Sequence, residues 1–209
     1  MKLAEVFSKN EDKIIELYKI DTLEKNKKFQ EDFNKYLKSY GIFIPDIETI
    51  HFCLKNEYTL PLATLTFKII DNLSWINTGV YNTSKDFKTY CKKYIINKID
   101  DDMTAEELWS SRCGLLHTNT YESRDVNENK VKQVIFYSGD ITSDELISSG
   151  KLDAIDHDNY RFLNIAKLAV KTIESVKLFF TDMILEGNMY KVLDKIQKMP
   201  LTNIFIDQK

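Results

Sequence analysis

Residues 60–76, LPLATLTFKIIDNLSWI, decide the fold. They read as one helix, with Pro61 in the opening turn, where its missing N–H costs nothing. Asp71 lies between Ile70 and Leu73, an odd place for a carboxylate in an apolar segment. Downstream, a second helix is expected from Ser84, as N-cap, to about residue 98. A third is expected from Thr104, whose Thr-x-x-Glu spacing to Glu107 is a capping-box signature, to about His117.

After a polar loop over residues 118–130, Val131–Tyr137 (VKQVIFY) is β-branched and aromatic enough to be a strand. Its expected partner is residues 151–155, reached through the Ser138-Gly139-Asp140 turn. A long helix is expected over residues 159–186, lined by Phe162, Ile165, Ala166, Ala169, Ile173, Val176, Phe180 and Met183 and ended by Gly187-Asn188. A last short helix precedes Pro200. Upstream, Ile14, Leu17 and Tyr18 mark one helical stripe, and Phe29, Phe33, Tyr36, Leu37 and Tyr40 another, stopped at Gly41. Pro45-Asp46 opens the next helix.

The expected fold class is therefore mainly all-α: an antiparallel helical bundle with a small inserted β-hairpin near residues 131–155. Six Gly and three Pro are too few for a loop-rich scaffold. Residues 1–45 read as an N-terminal helical appendage and 46–209 as the bundle domain, with no flexible linker to divide them.

A net charge of −3 gives no global field for gripping a polyanion, so any nucleic-acid contact must be local. The one candidate patch is Lys85, Lys88, Lys92, Lys93 and Lys98, interleaved with Phe87, Tyr90 and Tyr94; Lys88, Lys92 and Lys93 are its substrate-binding candidates. A solvated helix face is the plainer reading. Cys53, Cys91 and Cys113 are odd in number and widely spaced, which suits free thiols in a reducing compartment. The N-terminus carries Glu5 and lacks an apolar signal region, and the most apolar windows are too short to span a bilayer. A cytoplasmic protein without a membrane partner is expected.

The chemistry concentrates in EELWSSRCGLLH, residues 106–117. Ala105, Leu108, Trp109, Leu115 and Leu116 form an apolar stripe, and Arg112 falls in its middle. A guanidinium cannot shed its proton, so a carboxylate must meet it or a cleft must open there. Asp71 is the expected structural partner. Arg occurs only at 112, 124 and 161 among 29 Lys plus Arg, so its use at 112 points to bidentate geometry. Five residues of straight α-helix turn about 500°, which sets Arg112 and His117 about 140° apart. They can converge if the helix loosens at Gly114, or if a second copy of the motif faces the first across a two-fold axis.

Together they suit phosphodiester cleavage. Histidine moves protons near neutral pH, and arginine offers fixed charge to phosphorane oxygens. In RNA the 2′-OH is the nucleophile, so no metal or cofactor is called for. Cys113 reads as a small buried hydrophobe; as a reactive thiol it would have its pKa lowered by Arg112. His51 and His157 read as surface residues, and Trp109 as core.

LWSSRCGLLHTNTYESR, following LTFKIIDNLSWI, resembles the R-x4–6-H signature of the HEPN superfamily over about residues 58–186. The resemblance implies a helical domain and a metal-independent endoribonuclease whose paired motifs meet at a homodimer interface. It implies RNA as substrate, an antitoxin protein as possible partner, and a defence or toxin–antitoxin setting. By that likeness Arg112 would bind phosphate and His117 would be the general acid/base. Ribonuclease-active members usually carry Asn, Asp or His after the Arg, where this chain has Cys113. The alternative is a catalytically inactive nucleotide- or protein-binding module with Arg112 in a structural ion pair.

Overall fold

The computed structural model of the chain describes residues 31, 34–35, 40–78, 83–99, 103–118, 123–149 and 159–196. The described protein is mostly helical, with one two-stranded sheet. One compact unit is Ile42–Phe179. It contains helices α1 (Ile44–Lys55), α2 (Thr59–Thr78), α3 (Ser84–Tyr94) and α4 (Ala105–Cys113). After them come a π-helical turn (Gly114–Thr118), α5 (Arg124–Asn127), strand β1 (Gln133–Tyr137), α6 (Ser143–Ser148), strand β2 (Tyr160–Asn164) and α7, which starts at Ile165.

Helices α1 to α4 form where expected, although α3 ends at Tyr94, short of residue 98; α5 lies in the stretch expected to be a polar loop, and α6 has no counterpart in the sequence reading. Pro45 stands in the first turn of α1, and α2 runs through the 60–76 segment. Leu62, Ala63, Phe67, Ile69, Ile70, Leu73 and Ile76 of α2 are buried. At 100° per residue they cover roughly half of its circumference, and Asp71 falls at the margin of that face. The cap of α3 is Thr83, one residue before the expected Ser84: Thr83 Oγ1 accepts from the Asp86 N–H and Asp86 answers at the Thr83 N–H. Phe87, Tyr90, Cys91 and Tyr94 of α3 are buried. The Tyr90 hydroxyl donates to Ser175 Oγ of α7 at 2.9 Å, which satisfies a phenol that burial would otherwise strand.

The expected hairpin is not there. β1 pairs in parallel with β2, in register from Gln133↔Tyr160 to Tyr137↔Asn164. A parallel pair needs a crossover of about a dozen residues or more, and the chain passes through α6 before returning. The proposed partner segment, 151–155, lies outside the described residues. The expected helix 159–186 is also corrected, because its first turn is β2 and α7 runs Ile165–Leu185. Asn164 makes the switch: its Oδ1 accepts from the Lys167 N–H at 3.1 Å, capping the helix, and its Nδ2 donates to the Gly139 carbonyl at 2.9 Å.

Of the second unit the described residues are 31, 34–35, 40–41 and 180–196. There α7 ends as expected at Gly187, whose φ of +67° closes a pair of bonds from Gly187 N–H to Ile184 O and from Asn188 N–H to Met183 O. Helix α8 (Met189–Ile196) follows. Among the described residues no helix is long and apolar enough to cross a membrane.

Candidate active site

Helix α4 is built from its cap. Thr104 Oγ1 accepts from the Glu107 N–H at 3.1 Å, and Glu107 Oε2 accepts from both the Thr104 N–H and hydroxyl at 2.9 Å. The capping box read from the sequence is therefore present. Glu107 does more than cap. Its side chain is 6% exposed, and Oε1 accepts from Arg161 Nε of β2 at 3.2 Å. Sequence reasoning missed this pair, which ties the start of α4 to the sheet.

Ala105, Leu108 and Leu115 are buried as the stripe requires, while Trp109 and Leu116 are half-buried. Trp109 is thus not a core residue. Its ring stands edge-on to Phe87 at 5.4 Å, and the Arg112 guanidinium carbon lies 5.1 Å from its ring centroid.

Arg112 sits in the last turn of α4 and meets Asp71 of α2. Nε donates to Oδ2 at 2.8 Å and to Oδ1 at 3.1 Å, and Nη2 donates to Oδ2 at 2.6 Å. The two side chains are only 16% and 14% exposed. Burial pulls the Arg112 pKa down, but the bonds and charge of Asp71, with a further contribution from Cys113, outweigh it and leave it raised. The arginine on the apolar stripe has its expected carboxylate.

Beyond Cys113 the backbone leaves α-helical bonding and makes a π turn over Gly114–Thr118. Bonding from i to i+5 widens the turn, so residues five apart come into line instead of diverging. Arg112 Nη1 and His117 Nε2 are accordingly 2.8 Å apart. Arginine has no acceptor, so Nε2 must accept, and the imidazole in this contact is neutral with its proton on Nδ1. Loosening at Gly114 joins the two residues within one chain.

The other candidates fare differently. Cys113 is half-buried, and its thiol is pushed up, not down. Burial is the largest cause; the bond and charge of Arg112 work against it, while Asp125 and Asp71 add to it. An activated thiol is therefore not what this position provides. Burial also pushes the Cys91 thiol well up, with Asp71 adding to it. Lys88 and Lys92 lie 4.0 and 3.4 Å from Glu106 Oε1, at the amino end of α4, away from Arg112 in its last turn. Burial raises the Glu106 pKa, but hydrogen bonds from its own backbone amide and Lys92, and the charges of both lysines, bring it below the ordinary value. Lys93 Nζ lies 4.9 Å from the Tyr94 ring centroid. Phe87, Tyr90 and Tyr94 are buried, so the interleaving belongs to the sequence and not to a surface on which bases could stack. His51 is exposed, as expected; His157 lies outside the described residues.

Two cavities, of about 630 and 590 Å³, are bordered by neither Arg112 nor His117. Among the described residues no group of three or more His, Cys, Asp or Glu could hold a metal ion. Comparison with family models, curated proteins and solved structures returned no match.

Proposed function

We propose that the protein is a metal-independent endoribonuclease of HEPN type. The 2′-oxygen of RNA attacks the adjacent phosphorus, the P–O5′ bond breaks, and a 2′,3′-cyclic phosphate and a 5′-hydroxyl result. Arg112 holds the phosphate oxygens, and His117 moves the proton between the 2′- and 5′-oxygens. The observation that carries this reading is the 2.8 Å contact between Arg112 Nη1 and His117 Nε2, on an arginine braced by Asp71. A homodimer places two such pairs face to face, and RNA and an antitoxin are the partners the resemblance implies; a cytoplasmic defence role goes with them.

The test is RNA cleavage with chelator present, comparing wild type, His117→Ala and Arg112→Lys. The lysine keeps the charge but loses the planar fork. Loss of cleavage in both variants, with circular dichroism unchanged, is expected. Equal cleavage in all three, or none by wild type across varied RNAs, overturns the reading. A second reading, a silent binding module, is favoured by one observation: Asp71 already occupies Nε and Nη2 of Arg112 in a mostly buried pair. It expects no cleavage and a large loss of stability on removing Arg112.

A further inference from the structure

Arg112 is mostly buried. Asp71 takes its Nε and Nη2 edge, and the Trp109 ring lies against it at 5.1 Å. The remaining contact is Nη1 with His117, and His117 is exposed. A ligand that approaches Nη1 along its contact with His117 must come where the imidazole now sits. An oxyanion and the Nε2 lone pair are both acceptors, so they compete for the same N–H groups.

We propose that His117 is a self-occluding cap on an oxyanion site at Arg112: a phosphate group takes Nη1, and its binding releases His117 with Nε2 free. The inference takes from the proposed function only that Arg112 receives phosphate; it does not require that RNA be cleaved. It also gives the π turn a role, since the widened turn is what brings an exposed imidazole over Nη1. In the ribonuclease reading, arrival of the phosphate is what turns His117 from an acceptor engaged with Arg112 into a base that can take the 2′-proton.

Competition makes a prediction opposite in sign to ordinary ligand binding. Inorganic phosphate is titrated into the full-length protein by calorimetry at constant ionic strength, against chloride. Removing a competing hydrogen bond in His117→Ala should lower the Kd about three- to tenfold, whereas Arg112→Lys should abolish the site. In wild-type protein labelled with nitrogen-15 at histidine, the His117 ring should carry its proton on Nδ1 when free, and its Nε2 resonance should move on adding phosphate. Three results overturn the proposal: phosphate binding unchanged or weaker in His117→Ala, binding that survives Arg112→Lys, or no binding to either wild type or His117→Ala. Should Arg112→Lys fail to fold, the ring resonances of the wild type decide: a His117 signal indifferent to phosphate overturns the proposal. Failure of the ribonuclease reading looks different, because RNA then stays intact while phosphate still displaces the imidazole.

Discussion

The two ends of α4 are each held by an arginine–carboxylate pair, and the pairs do different work. At the amino end Glu107 spends one oxygen on the helix cap and the other on Arg161, which closes the arrangement. At the carboxyl end Asp71 takes the Nε–Nη2 edge of Arg112 and leaves Nη1 facing an exposed histidine. A carboxylate with both oxygens engaged inside the fold reads as architecture; a pair with a donor that contacts an exposed ring offers a place where a ligand could enter. That difference, more than the presence of a buried ion pair, is the reason the site is proposed at the carboxyl end.

The comparison can be broken first at Asp71. Asp71→Ala leaves a mostly buried guanidinium without its carboxylate and should cost about 3–5 kcal/mol in denaturant unfolding. The double variant Asp71→Leu, Arg112→Met should recover most of that. If Asp71→Ala unfolds with an unchanged midpoint, Arg112 is not braced by this pair. Glu107→Ala should come second, at about 2–3 kcal/mol, since it removes a charged bond to Arg161 and half of a capping box. Glu107→Gln keeps the box and should lose less. A Glu107→Ala effect larger than that of Asp71→Ala would reverse the ranking of the two ends.

Arg124 supplies the smallest effect. Its Nε lies 2.7 Å from Glu128, and it is the most exposed of the three arginines. Hydrogen bonds from Arg124, and then from Lys130, lower the Glu128 pKa to about 2. The sign follows: a carboxylate depressed in the folded state favours folding above its ordinary pKa, and loses that contribution as pH falls toward 2. The group is exposed and screened, so Arg124→Ala should leave the unfolding midpoint unmoved. It should let the Glu128 carboxyl titrate nearer its ordinary range, as read by NMR. A midpoint shift there would mean that surface pairing matters in this fold.

Much of the site was legible. Arg112 on an apolar stripe demanded a carboxylate, and Asp71 was conspicuous for the same reason one helix away. Thr104 and Glu107 announced the start of α4. The closure of Arg112 on His117 was legible only as a geometric alternative, because hydrophobic periodicity does not register a single widened turn; Gly114 hinted at it as a poor helix former. The Glu107–Arg161 pair was missed because Glu107 already had a reading as a cap. The preference for Arg over Lys that singled out Arg112 applied equally to Arg161, though Arg124 shows that the signal also picks surface residues. The parallel sheet was hidden by a coincidence of period: Phe162 falls on the same helical stripe as Ile165 and Ala169, so the strand was absorbed into the helix that follows it.

That sheet bears on the order in which the molecule assembles. α1 to α4 can each form from neighbouring residues, whereas Gln133 finds Tyr160 only after the chain between them has been gathered in. Local helices closing early and the strand pair late would put Arg161 in place near the end, as part of β2. The carboxyl end of α4, whose partner Asp71 comes from α2, can be ready before its amino end is locked to the sheet. Pulsed hydrogen exchange during refolding would then show amides of α2 and α4 protected ahead of those of β1 and β2.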